Sequence, residues 1–197
     1  MGRPVDPLDD VVKRMLRGDD EAFRIVYRTI QPRLERYLSG LVGVSDAEDV
    51  ASDTWAQACR DMSSFKGDAD GFRGWITTIG RHRALDHLRA KGRRPQSAGP
   101  IEEFPDRPAD DDVEATVAAL VSTADAIELI SSLPTEQSEA VLLRAVMGLD
   151  AKTAAKILGR SPGAVRTAAY RGLKTLAERS DRPSSDKSGG TTAEEVR

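Results

Sequence analysis

Apolar residues recur at steps of three and four along most of the chain, and no segment shows the strict alternation of a half-buried strand. This spacing predicts helices over about residues 7–17, 20–41, 45–62, 71–91, 123–132 and 135–147. Gly18 is expected to end the first of these helices. Pro32 is expected to kink or interrupt the second, because proline lacks the N–H of a helical hydrogen bond.

The third predicted helix has two contrasting faces. Ser45 and Glu48 have the spacing of a capping box, so Ser45 is expected to cap the first turn. One face is an apolar stripe that contains Trp55 and Cys59, and we interpret Cys59 as a buried core thiol rather than a redox sensor. The other face bears Glu48, Asp49, Ser52, Asp53 and Arg60.

The segment after residue 149 contains two closely spaced helices with local end signals. Asp150 can cap a helix that ends at Leu158, and Gly159 permits the left-handed conformation of a helix end. Ser161 can cap the next helix, with Pro162 in the first position, where its missing N–H has no cost. Two helices separated by so tight a turn predict a helix-turn-helix.

The last of these helices is predicted to pack its small and apolar face on the domain and to expose a polar, basic face. That face consists of Arg166, Thr167, Tyr170, Arg171 and Lys174. Arginine can donate two hydrogen bonds to guanine and threonine can bond to several bases, so the face suits a DNA major groove. Arg160 and Lys174 are better placed for phosphates. The alternative is a helical hairpin with a solvated basic face.

Charge is segregated along the chain, although its 197 residues sum to a net charge of only −3. Residues 95–132 contain 1 basic and 9 acidic residues, whereas residues 133–179 contain 8 and 4. The segment 81–94 alone has six Lys and Arg residues. The overall charge argues against nucleic-acid binding, but these local basic segments argue for it.

These patterns divide the chain into two small all-helical domains. The first spans residues 1–93 and the second, with the helix-turn-helix, spans residues 123–179. Prolines and acidic residues over 94–122 predict a flexible linker, and the polar composition of 180–197 predicts a disordered tail. The linker is either an acidic mimic of nucleic acid or a merely solubilising segment.

Several classes of protein are disfavoured. No apolar run approaches the roughly 18 residues of a membrane span, and the N-terminus lacks a secretory signal. A single cysteine allows no intrachain disulfide, which is typical of a reducing, cytoplasmic protein. We therefore expect no membrane contact of the chain's own.

Candidate enzyme sites are weak. Asp46, Asp49 and Asp53 can share a helix face and bind a metal, but no His or Cys completes the set. His82 and His87 lie about 140° apart around a helix, which is a poor arrangement for a shared metal. No nucleotide-binding glycine loop, nucleophile elbow or zinc motif is present. We expect no metal, no cofactor and no catalysis.

Several segments resemble the sigma-70 family, specifically its small extracytoplasmic-function class. Phe65–Asp68 with Phe72–Arg89 is similar to the promoter-melting region, and Asp46–Trp55 to the segment that docks on RNA polymerase. Three pieces resemble the domain that binds the −35 element: Leu133–Gln137, then Val141–Arg144 with Gly148 and Leu149, then the helix-turn-helix. The order of the two domains, the linker and the length also match this class.

The resemblance implies a function and specific site residues. The chain is expected to bind core RNA polymerase and promoter DNA, and an anti-sigma factor is a further possible partner. Core polymerase is expected to contact the acidic third helix at Asp46, Glu48, Asp49 and Asp53. The −10 element is expected to contact Lys66, Gly67, Asp68, Arg81, His82, Arg83, His87 and Arg89. The −35 element is expected to contact Arg160, Arg166, Thr167, Tyr170, Arg171 and Lys174.

One alternative from another class is an ordinary helix-turn-helix regulator, with residues 1–93 as a ligand-binding or dimerisation domain. That interpretation leaves the acidic third helix and the basic segment 81–94 without a role. A palindromic operator bound by a dimer would favour it, whereas binding to core polymerase would favour a sigma factor.

Overall fold

A computed structural model describes residues 6–92 and 124–180, and the regular structure in these ranges is helical throughout. The predicted linker and the tail beyond Ser180 lie outside the described residues. The first half forms α1 (Leu8–Met15), α2 (Asp20–Val42), α3 (Val44–Asp61) and α4 (Ala69–Ala90), with a short 3-10 turn at Met62–Ser64. The second half forms α5 (Ala124–Ser131), α6 (Thr135–Val141), α7 (Ala151–Leu158) and α8 (Pro162–Ser180).

Helix α2 is continuous through Pro32, so the predicted interruption is wrong. Pro32 is exposed, whereas Ile30 and Leu34 on either side of it are buried in the core. Packing of the residues around the proline therefore outweighs the lost backbone hydrogen bond.

The start of α3 also differs from the prediction. Gly43 adopts φ +91° and turns the chain sharply, so the helix already begins at Val44. Ser45 consequently lies inside the first turn, and its hydroxyl donates to Asp46 Oδ1 at 3.5 Å instead of capping the helix. The turn at Gly43 therefore sets the start of the helix, and the side-chain cap that the sequence predicted does not form.

Cys59 is exposed, which corrects its prediction as a core residue. The buried face of α3 centres on Ala51, Thr54 and Ala58. At about 100° per residue, Trp55 lies at the edge of this face and Cys59 one step further round, in solvent. The apolar stripe in the sequence is thus wider than the face that the fold buries.

The segment predicted as one helix over 135–147 is α6 followed by a wide π turn at Leu142–Val146. Met147 N–H donates to Leu142 O, and Leu149 N–H donates to Leu143 O, both at 3.0 Å. The turn buries both leucines. Such π turns are rare, and sequence periodicity alone does not show them.

The two halves pack against each other through a continuous set of buried apolar residues. Leu142 lies so close to Gly40 of α2 that a Cβ there would come within 2.7 Å of its side chain. Thr153 of α7 lies equally close to Gly74 of α4. Glycine at these two positions therefore allows the second half to approach helices α2 and α4.

Candidate nucleic-acid and polymerase interfaces

The helix-turn-helix forms as its end signals predict. Asp150 accepts a hydrogen bond from Thr153 N–H at 2.6 Å and caps α7. Gly159 is left-handed, with φ +66°, and ends that helix. Ser161 Oγ accepts from Ala164 N–H at 3.1 Å at the start of α8. Val165 is buried, so the two helices meet as a helix-turn-helix requires.

Helix α8 presents the predicted polar face. Tyr170, Arg171 and Lys174 are exposed, while Arg166 and Thr167 are half-buried at its edge. On the opposite side, Ala169 and Gly172 are buried against α6 and its surroundings. The exposed side therefore combines hydrogen-bond donors, an aromatic ring and positive charge, as a major-groove surface requires.

Arg160 has an ion pair that the sequence did not predict. Its Nη2 atom lies 2.6 Å from Glu136 Oε1, and only 18% of the side chain is exposed. The pair ties the turn of the helix-turn-helix to α6. The predicted phosphate contact of Arg160 thus requires an exchange of this carboxylate for a phosphate.

The loop before α4 exposes Lys66, Gly67 and Asp68 above a group of aromatic rings. The Phe65 ring centre lies 5.3 Å from that of Phe72 and 5.1 Å from that of Trp75. Phe72 also contacts the ring of Trp55 in α3, which in turn contacts Tyr27 and Phe23 in α2. Phe72 is fully buried and Trp75 partly so, as expected of core residues.

The basic residues along α4 differ in what they contact. His82 is exposed, and Arg89 is exposed beside Asp86 at 2.8 Å. Arg83 donates to Gln57 Oε1 at 2.7 Å. These residues lie in the second half of α4, at the opposite end of that helix from the exposed loop.

Arg81 faces the second half of the chain. Its Nη2 atom lies 2.9 Å from Glu139 Oε1 of α6, and the two side chains are 21% and 17% exposed. The Tyr37 hydroxyl is buried near this pair without a hydrogen-bond partner, and burial raises the pKa of Tyr37, with Glu139 adding to the effect. In this conformation Arg81 is therefore engaged by a carboxylate at the contact between the domains.

Asp46 does not share the exposed acidic face, which corrects its predicted position. It is buried between the start of α3 and the end of α4, with Lys91 Nζ 2.7 Å from Oδ1 and His87 Nε2 3.1 Å from Oδ2. Hydrogen bonds from Lys91 and then His87 hold the pKa of Asp46 at about 2, below its ordinary 3.8. In this conformation His87 is thus engaged by Asp46.

Glu48, Asp49 and Asp53 are exposed on the outer side of α3, as predicted. They form a compact patch of negative charge on a rigid helix, which we call the acidic face. Such a surface attracts a basic partner and adds an orienting electrostatic force during association.

Two contacts that shape these surfaces were not predicted. The sequence predicts only a helix around Glu139, and Arg73 lies within the segment that resembles the promoter-melting region. Arg73 pairs with Asp6 and Asp70 at the start of α4. Arg73 and Arg81, which pairs with Glu139, both lie within helices whose sequence does not indicate a distant partner. Only the tertiary fold identifies these two contacts.

Within residues 6–92 and 124–180, no group of three or more His, Cys, Asp or Glu side chains is arranged to hold a metal ion. None of the helices that the structure describes combines the length and apolar composition needed to cross a membrane.

Comparisons with known proteins identify the family. Residues 26–94 match Sigma-70 region 2 and residues 124–176 match Sigma-70, region 4. The chain is 34% identical over 175 residues to the ECF RNA polymerase sigma factor ShbA of Streptomyces griseus, covering 84% of this chain and 91% of ShbA. It is 29% identical over 176 residues to the ECF RNA polymerase sigma factor BldN of Streptomyces coelicolor, covering 85% of this chain and 64% of BldN.

A solved structure shares the fold. CnrH, in complex with the cytosolic domain of CnrY, superposes with a TM-score of 0.58 at 25% identity, covering 89% of this chain and 98% of CnrH. The matched regions contain the α3–α4 surfaces and the helix-turn-helix, and their order excludes an ordinary helix-turn-helix regulator. The chain belongs to the extracytoplasmic-function class of the sigma-70 family, the transcription initiation factors that direct RNA polymerase to promoters.

Proposed function

We propose that the chain divides promoter recognition among three surfaces. The acidic face of α3 docks on core RNA polymerase. The loop 66–68 and the basic residues of α4 bind the −10 element, and the exposed face of α8 binds the −35 element. The observation that supports this division best is the separation of charge: acidic residues line the outside of α3, whereas basic residues line α4 and α8.

Contacts by α8 follow from side-chain chemistry. Arg166 and Arg171 have the fork geometry that recognises guanine, and Thr167 and Tyr170 offer hydroxyl groups to base edges. Lys174 is 64% exposed and provides a mobile positive charge for a phosphate. The −35 contacts are therefore expected to combine sequence recognition by two arginines with salt-dependent anchoring.

At the −10 element, the loop is proposed to hold a base that has left the duplex stack. Unstacking costs a few kcal/mol, which contacts to the extruded base must offset. His82 and Arg89 are exposed further along α4, about 20 Å and 30 Å from its first residue at 1.5 Å per residue. Arg81, Arg83 and His87 need to leave their partners Glu139, Gln57 and Asp46 before they can contact DNA directly.

Run-off transcription with core polymerase on genomic fragments tests the proposal. The full-length chain is expected to start RNA synthesis at defined sites that share a −10 and a −35 sequence. Arg171→Ala is expected to reduce initiation by about 5- to 150-fold, since a base contact contributes about 1–3 kcal/mol. Arg179→Ala, near the end of the same helix, is the matched control and is expected to leave initiation unchanged. Failure to start at any defined site would overturn the proposal.

The polymerase contact has its own test. Asp53→Lys is expected to weaken binding to core polymerase, whereas Asp86→Lys, at a position on α4 that is also exposed, is not. We propose further that the chain has no catalytic activity of its own and acts in the cytoplasm, where polymerase and DNA are. CnrH binds the cytosolic domain of CnrY, and we propose that a comparable anti-sigma protein binds this chain.

A further inference from the structure

We propose that Asp6, just before α1, and Asp9, in its first turn, are positioning residues for promoter opening. They hold the start of α4 and thereby the base-capturing loop before it. This inference rests on the proposed function of that loop. It concerns residues outside the two matched regions, since the match to Sigma-70 region 2 begins at residue 26.

The first observation is a helix cap supplied from a distance. The first backbone N–H groups of a helix have no partner within the helix and are usually satisfied by a nearby side chain. Asp68 provides such a local cap for Gly71 N–H at 2.8 Å. Ala69 N–H, however, donates to Asp9 Oδ1 at 2.9 Å, across 60 residues of sequence. The first turn of α4 is therefore fixed both locally and by α1.

The second observation is an ion pair that joins the same two elements. Arg73, one turn into α4, pairs with Asp6 and with Asp70. The Arg73 and Asp6 side chains are only 14% and 22% exposed, so solvent screens the pair less than a surface pair. Asp6 Oδ1 also accepts Leu8 N–H at 2.8 Å and fixes the start of α1. Asp6 thus fastens the beginning of one helix to the beginning of the other.

The third observation is that the loop depends on α4 for its position. A Cβ at Gly67 would lie 2.9 Å from Phe65 Cζ, so the loop backbone rests directly on that ring. The Phe65 ring in turn packs on Phe72 and Trp75 of α4. Lys66 and Asp68 are exposed. A displacement of the first turns of α4 would therefore carry the loop with it.

A loop that is already in place when a base is extruded loses less conformational entropy on capturing it. Removing the contacts of Asp6 and Asp9 with α4 leaves the acidic face of α3 unchanged, because that face belongs to another helix and uses other residues. The expected defect is accordingly selective. Strand opening slows, while affinity for core polymerase stays the same.

A graded series at Asp9 tests this with the full-length chain and core polymerase. Asp9→Ala removes the acceptor for Ala69 N–H, whereas Asp9→Asn retains an oxygen acceptor without the charge. Asp10→Ala, an exposed neighbour on the same helix, is the matched control. Opening is followed by the fluorescence of 2-aminopurine in the non-template strand of the −10 element. Asp9→Ala is expected to slow opening about tenfold, Asp9→Asn to recover part of the rate, and Asp10→Ala to match the unaltered chain.

Three further measurements separate positioning from loss of fold. Core-polymerase affinity of each variant is expected to remain within twofold of the unaltered chain. Circular dichroism identifies a temperature at which every variant is folded, and opening is compared there. On a promoter whose −10 region is mismatched and already open, the Asp9→Ala defect is expected to shrink, since less unstacking remains to be done.

Two results would overturn the inference. One is an opening rate for Asp9→Ala equal to that of Asp10→Ala; the other is a loss of core affinity as large as the loss of opening. These outcomes are distinct from failure of the proposed function, in which the unaltered chain itself would open no promoter.

Discussion

The ion pair between Arg81 and Glu139 provides a measurable link between promoter recognition and domain packing. Arg81 Nη2 and Nε lie 2.9 Å and 3.2 Å from Glu139 Oε1, so one carboxylate oxygen accepts two hydrogen bonds. Both side chains are mostly buried, which places the pair between an exposed one, worth up to about 1 kcal/mol, and a fully buried one. Glu139→Gln keeps the shape and one acceptor but removes the charge. We expect it to cost about 1–2 kcal/mol in the free energy of unfolding.

A double-mutant cycle in chemical unfolding isolates the interaction. Arg81→Gln and Glu139→Gln are combined, and the coupling is the difference between the double variant and the sum of the single ones. We expect a coupling of about 1 kcal/mol, because either substitution alone already removes the pair. Glu178→Gln is the control, since its carboxylate lies 3.9 Å from Lys174 and both side chains are about two-thirds exposed. Additivity within about 0.3–0.5 kcal/mol would show that the pair does not hold the halves together.

Three other predictions concern single sites. The pKa of Asp46 is about 2 in the folded chain and 3.8 ordinarily, so its contribution to stability is present above pH 4 and is lost as the pH falls toward 2. Asp46→Asn should therefore flatten the dependence of the free energy of unfolding on pH in that window, as measured by denaturation at several pH values. Gly159→Ala should destabilise the second domain by about 1–2 kcal/mol, because alanine is strained at φ +66°, and calorimetry would show a lower melting temperature. Lys174→Ala should reduce the slope of log affinity against log salt by about 1 for a −35 duplex, and an unchanged slope would exclude a phosphate contact.

Features set by neighbouring residues could be predicted from the sequence, and features set by distant pairs could not. The helix-turn-helix was predictable because Asp150, Gly159 and Ser161 each act within a few residues of themselves. The burial of Asp46 was not, because its partners His87 and Lys91 are more than 40 residues away. Until those partners are known, a carboxylate on an acidic helix is indistinguishable from its exposed neighbours.

The same distinction explains the other differences. Cys59 continues the apolar spacing of α3, but the width of the buried face depends on which helices pack against it. Arg81 was correctly placed on a basic helix, yet its contact with Glu139 depends on how the two halves meet. Sequence periodicity identifies a helix and its approximate orientation. It does not identify the partner across the interface.

The aromatic rings around Phe72 have a practical consequence for spectroscopy. The chain has two tryptophans, Trp55 and Trp75, and both belong to this group of rings in the first domain. The helix-turn-helix domain contains Tyr170 but no tryptophan. Intrinsic tryptophan emission therefore reports on the first domain alone, and Trp75 lies against the Phe65 ring beneath the loop. Loop movements and unfolding of this half can be followed without an attached dye, because the other half contributes no tryptophan emission.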